Sequence, residues 1–322
     1  MKKKSHIWIA VRAVDLLARD EETATLAALL RPLVSRVAIG AWLPDEKYFK
    51  NGSGSTQNHV LKMKPYAGAD AVRFIQSREE TCRKLGPHRK LTGFMEQLPA
   101  DFWTRPYRGD CDPGRHPADC AAGLATALTD LLLLGDAQLQ SVLDDIVPEK
   151  LPFPKDAQTS VTQAALYFFM MSHFAADAQM PCHADARVLA RYDAPLHAAW
   201  EKHFDDQLDA FPNPDKVEQV PAAELLTAAV KAFPLELPSK IPSLKKNVWE
   251  EIIQICRASF ALNCLLVPPE QFPFDGPERV AFKAVFSGPS GARRLQDVTY
   301  AILHDSVLGV AMLWKHVWKS LR

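Results

Sequence analysis

Apolar residues recur at three- and four-residue steps along most of this chain, the mark of helices with one buried face. The pattern predicts helices over residues 7–18, 23–37, 70–84, 118–134, 137–146, 159–178, 194–208, 222–233, 246–266 and 292–321. Alternation of period two is scarce, and residues 280–285 are the best case for a strand. Two stretches break the helical pattern. Residues 87–117 mix proline, glycine, basic residues and cysteine; residues 211–242 set six prolines around one short helix, as a surface wrap would. The chain carries no internal repeat and no low-complexity tract. A mostly α-helical fold follows, one domain over residues 1–322.

Composition narrows the function. Of 322 residues 48% are hydrophobic, which excludes a disordered chain. Thirty-eight basic and thirty-eight acidic residues cancel, so the bulk basic footprint of a nucleic-acid binder is missing. No stretch reads as the roughly 18–20 apolar residues of a membrane helix. Residues 1–5 hold three lysines, as a signal peptide's start does. The apolar run behind them is broken by Arg12 and Asp15, and no small-residue cleavage site follows. The run is therefore expected to be the first helix of the fold, and a cytoplasmic location is expected with it. Cys82, Cys111, Cys120, Cys182, Cys256 and Cys264 form no CxxC pair and are expected to be free thiols.

The chemistry concentrates in one segment. His173 and Asp177 stand four apart in a helical pattern, so they share a face; His197 and Glu201 repeat that geometry. Pro181 ends the first helix and lets His183 turn back toward the same space. Nitrogen and carboxylate ligands in this pattern suit zinc. Either pair alone reads more simply as an exposed ion pair; two pairs flanking a third histidine shift the balance toward metal.

The motifs HxxxDxxxPxH (173–183) and LHxxWE (196–201) resemble the zinc-dependent phospholipase C and S1/P1 nuclease superfamily. The N-terminal half continues the likeness. Residues 5–15, with His6 leading, are similar to the family's opening helix, and Asp45 in Gly-Ala-Trp-Leu-Pro-Asp resembles its loop aspartate. His59 follows fourteen residues later, a spacing of the phospholipase branch. The resemblance covers about the first 205 residues and implies a multi-helix phospholipase C/P1 nuclease-like bundle. The interval between His59 and His173 is about twice the family's, implying an insertion within about 64–125 between the second and third ligand segments. Its Phe102, Trp103, Arg105, Tyr107, Arg108 and Arg115 suit either a specificity lid or an inert decoration. A Cys/His knuckle there, from Cys82, Cys111 and Cys120 with His88 and His116, is the weaker reading.

The resemblance also implies a ligand set. Asp45, His59, His173 and Asp177 would hold one zinc, and His183, His197 and Glu201 a second. A third would take His6, with Asp177 bridging and the N-terminal residue completing the site. Met1 lies five residues before His6, and Lys2 is too bulky for ordinary methionine removal. Either Met1 closes that site through its backbone, giving three Zn2+, or residues 1–4 are a frayed basic tail and two bind.

The implied activity is zinc-dependent hydrolysis of phosphoric esters by a metal-activated water, with Asp45 orienting the water or taking its proton. The substrate would be a phosphodiester, phospholipid or soluble, and a phospholipase C-like role in lipid metabolism leads. A single-strand nuclease or nucleotidase is the alternative enzyme; a silent metal-stabilised interaction protein is the alternative of another class. Glu46 and Thr56 stand where the choline-selective phospholipases have aromatics, and Val60 and Lys62 where the nucleases bind a base. Cys182, Trp314 and Trp318 are expected to pack, His203 to face solvent, and His304 and His316 to pack or lie at the surface.

Overall fold

The computed structural model describes residues 1–48, 117–129, 160–185, 195–267, 282–286 and 288–320. Its helices are α1 (Lys3–Leu17), α2 (Ala24–Leu30), α3 (Val34–Val37), α4 (117–129), α5 (Ser160–Gln179), α6 (Pro181–Ala184), α7 (Pro195–Gln207), α8 (Ala222–Ala232), α9 (Val248–Leu266), α10 (Phe282–Val285) and α11 (Gly288–Ser320). The described residues contain no sheet. The helices expected at 70–84 and 137–146, His59, and the insertion up to residue 116 lie outside them. So do Cys82, Cys111, His88 and His116.

Burial explains the architecture. In α1 every residue from Ser5 to Val14 is buried, so the helix is covered on all sides and runs through the centre. Long α11 packs along it, α5 and α8 flank it, and α9 closes over α5 and α6. Phe168 and Phe169 of α5 meet Trp314 of α11 with ring centroids 5.7 and 5.3 Å apart. The expected packing of Trp314 and Cys182 is observed, both being fully buried.

Three expectations need correction. Residues 23–37 do not form one helix: Pro32 has no amide hydrogen to donate, and the chain tightens into a 3-10 turn, Arg31–Leu33, between α2 and α3. The strand expected at 280–285 is helical over Phe282–Val285, a turn that brings the Phe282 and Phe286 rings together at 5.0 Å. The segment Ala24–Glu46 is long and apolar enough by composition to cross a membrane. Here it is folded into short turns, half of it buried in the fold.

The proline-rich wrap is fastened at two points. Ser35 Oγ donates to the Val220 carbonyl at 2.6 Å, and the Ile241 amide donates to Asp20 Oδ2 at 2.8 Å. Its own Phe211, Val217, Leu235 and Ile241 turn inward and are buried. The second fastening is an ion pair deep in the fold. Lys315 of α11, 1% exposed, donates to Asp20 Oδ2 and to the Ile241 carbonyl, each at 2.8 Å. Burial would raise the Asp20 pKa, but the Lys315 bond and the Ile241 and Glu22 amides outweigh it and hold it below the ordinary value.

A buried charge robbed of its partner typically costs about 3–5 kcal/mol. Lys315→Met is expected to lose about that much stability in urea unfolding. Because the folded-state pKa of Asp20 is depressed, its contribution is full above the unfolded value of about 3.9 and fades as pH falls through the lower folded value. Asp20→Asn should therefore flatten that part of the stability profile below about pH 4.

Candidate metal centre

Five segments deliver polar side chains to one buried place. The first turn of α1 brings His6, the start of a wide turn over Pro44–Tyr48 brings Asp45, and α5 brings His173 and Asp177. Short α6 brings His183, and α7 brings His197 and Glu201. Both four-residue pairs share a face as expected: His173 Nε2 lies 3.1 Å from Asp177 Oδ2, and His197 Nε2 lies 3.0 Å from Glu201 Oε1.

Local chemistry explains each placement. Met180 takes an extended conformation before Pro181, which is pre-set for the first turn of α6, so the chain reverses after Asp177 and His183 faces back. The 3-10 turn Ala38–Ala41 can lie against α5 because Gly40 has no side chain. A Cβ there would stand 2.8 Å from Leu166 Cδ1 and 3.0 Å from Phe169 Cβ. That close approach lets the Ala41 carbonyl accept from His173 Nδ1 at 2.9 Å, which fixes the ring and directs Nε2 into the cluster. On α7, Asp205 lies one turn beyond Glu201. It accepts from the Ser5 amide at 3.0 Å and from Ser5 Oγ, pinning the first turn of α1 to α7.

The groups divide into two sets with ligand atoms close enough for one cation each: His6, His173 and Asp177, all buried, and His183, His197 and Glu201. In the second set His183 Nε2 lies 2.8 Å from His197 Nε2 and 3.2 Å from Glu201 Oε1. Tetrahedral zinc–nitrogen bonds of about 2.0–2.1 Å place neighbouring ligand atoms about 3.3–3.4 Å apart, so these groups need to open by only about half an ångström to share a cation. In the first set His6 Nε2 lies 3.3 Å from Asp177 Oδ1, and the His6 and His173 rings stack at 4.2 Å. Asp45 Oδ1 reaches His173 Nε2 at 3.5 Å.

The Met1 amino group joins the two sets, 2.9 Å from both Asp177 Oδ1 and Glu201 Oε1. Met1 is 3% exposed, so the frayed-tail alternative does not describe this end of the chain. Of the eight side chains expected at the site, seven meet; His59 lies outside the described residues.

Electrostatics prepare the cluster for a cation. Burial would raise the Asp177 and Glu201 pKa values, but the Met1 ammonium and neighbouring histidines outweigh it and hold both well below the ordinary range. Burial pushes His6 down to about 4, with His173 contributing. Burial and the Met1 ammonium push His183 down to about 3. Both are neutral imidazoles at pH 7, the form that ligates. His173 and the Met1 amino group go the other way. Burial opposes their charge, yet the carboxylates outweigh it, raising His173 to about 9 and the amino group to about 11. The carboxylates thus draw positive charge inward. Both ring nitrogens of His6 are buried, and Nε2 faces Asp177 Oδ1 at 3.3 Å, where a shared cation would bond both.

Sequence reasoning missed Trp42, whose ring lies edge-on to His173 at 6.4 Å, and Asp205. The four-residue step from Glu201 was the available sign of Asp205. His203 does not simply face solvent: it is half-buried, with Nε2 3.1 Å from Thr299 Oγ1 and its ring near Phe282. No family model, curated protein or solved structure matches this chain.

Divalent cation should bind and stabilise the fold, by about 2.7 kcal/mol at a free concentration one hundred times Kd. The double variants His6→Ala/His173→Ala and His197→Ala/Glu201→Ala should each lose part, not all, of the metal found by elemental analysis.

Proposed function

We propose that the cluster is a zinc centre and that the protein hydrolyses phosphoric diesters in the manner of the phospholipase C and S1/P1 nuclease superfamily. The observation that carries this reading is the meeting of His6, Asp45, His173, Asp177, His183, His197 and Glu201 from five separate segments, with neighbouring ligand atoms at 2.8–3.5 Å. That order along the chain is the one the superfamily resemblance implies. The helical bundle, with α1 at its centre, is compatible with the superfamily's fold.

The donor set is nitrogen and carboxylate, which zinc accepts readily. His173, Asp177 and Asp45 would hold one ion, and His183, His197 and Glu201 a second. His6 with the Met1 amino group would serve a third, beside the bridging Asp177. Bound zinc supplies Lewis acidity to a phosphoryl oxygen and an acidified water as nucleophile. Two divalent cations against three carboxylates leave the site positive, and a third adds to that, so an anionic diester is the natural guest.

The protein's own groups then divide the work. Asp45 has the most exposed side chain of the three carboxylates, at 19%. It stands toward solvent, where it orients the attacking water and accepts its proton. Asp177, 1% exposed, is held by α5 and keeps the two sets in register. Trp42 lies beside the stacked rings of His6 and His173 and lines one side of the cluster.

Hydrolysis of bis-p-nitrophenyl phosphate tests the reaction class; phosphatidylcholine vesicles and single-stranded DNA separate the lipid from the nucleic-acid reading. Asp177→Asn and His173→Ala should each lose turnover and part of the bound metal. Asp45→Asn should lower kcat about 10²–10⁴-fold, the usual worth of a positioned proton acceptor. Normal hydrolysis by Asp177→Asn would overturn the proposal. Extending the chain beyond Met1 should lower the zinc count from three to two, because the amino group then leaves its place between Asp177 and Glu201. An unchanged count would remove Met1 from the ligand set.

A further inference from the structure

Two of the site's side chains sit on either side of a chain reversal, and helix α9 holds both ends of that reversal. Asp177 ends its useful reach on the last turn of α5; His183 lies on α6. Between them the Met180 amide donates to the Asp177 carbonyl at 3.0 Å and the His183 amide donates to the Met180 carbonyl at 2.9 Å. These two small turns bend the chain, but they do not tie it to anything.

The tie comes from α9. Ser259 and Asn263 are four apart, fully buried, and on one face of that helix. Ser259 Oγ donates to the Ala178 carbonyl at 2.5 Å. Ala178 follows Asp177, and its carbonyl belongs to the last turn of α5, whose carbonyls lack helical partners. Asn263 Nδ2 donates to Asp185 Oδ2 at 2.7 Å, two residues beyond His183. A third hold comes from α11, where the Asp305 carbonyl accepts from Gln179 Nε2 at 3.3 Å.

A hydroxyl and an amide are unusual choices among Ile255, Cys256, Phe260 and Cys264, all buried on the same helix. Packing alone would be served by Ala and Leu, and a polar group in such a place costs stability unless it is bonded. Both bonds reach the one segment that carries Asp177 and His183.

We propose that Ser259 and Asn263 are positioning residues of the metal centre: together they grip residues 178–185 and so set the separation of Asp177 from His183. Neither touches the ligand atoms. They act by fixing the reversal whose two ends belong to different cation sets. The inference rests on the metal reading above.

Cobalt(II) titration of the full chain, followed by visible absorption and by helical circular dichroism, tests it. Ser259→Ala and Asn263→Ala should keep their helix content, bind cobalt about 10–100-fold more weakly and shift the visible bands, as loss of an outer support does. Ser259→Thr, which keeps the hydroxyl, should restore affinity and bands. Where Asn263→Ala is too unstable to titrate, Ser259→Ala decides alone, since it removes a single oxygen. A folded Ser259→Ala protein with the parent's affinity and spectrum overturns this inference and leaves the metal reading standing. A parent chain that takes up no cobalt overturns the metal reading, and this inference with it.

Discussion

One carboxylate organises the molecule. Asp177 is 1% exposed, yet the Met1 amino group, His6, His173 and His183 all place a nitrogen within 2.9–3.4 Å of it. An ion that deep in a fold survives only if positive charge and hydrogen-bond donors surround it. The packing of α1 against α5, and of α6 and α7 around them, can be understood as the means of surrounding it.

That requirement shapes the helices. An ordinary surface helix shows an apolar stripe and a polar face, but α1 is buried all round because its first turn must enter the site while its body fills the centre. Its amino end lacks a side-chain cap of its own and takes Asp205 from α7 instead. At the far side, α11 runs the length of the fold and is locked by Lys315 to Asp20 and Ile241. Large apolar contacts such as Trp314 on Phe168 and Phe169 supply the stability that a polar centre consumes. Each fully buried side chain of that size contributes on the order of 1.5–3 kcal/mol.

Several polar groups outside the centre are bonded rather than merely hidden. Trp8 Nε1 donates to the Ala229 carbonyl at 2.8 Å, Ser35 holds Val220, and Asn247 caps α9 by accepting from the Glu250 amide at 2.9 Å.

Local rules made much of this readable from the residues alone. The 3.6-residue period placed His173 beside Asp177 and His197 beside Glu201, since neighbours on a helix face depend on nothing beyond that helix. The ends of α5, α7, α8 and α9 fell within two residues of the periodic pattern for the same reason. Where a local signal met a competing one, the reading failed. Pro32 broke the helix expected at 23–37, and the apparent strand at 280–285 is a helical turn that brings Phe282 and Phe286 together. The meeting of α1, the turn at Asp45, α6 and α7 could not be read locally. It depends on contacts between residues far apart in the chain: Gly40 against Leu166, Ser5 against Asp205, Ser259 against Ala178. Which side chains share a face is a property of a single helix, whereas which faces meet is settled by long-range packing and buried bonds that no short stretch of sequence contains.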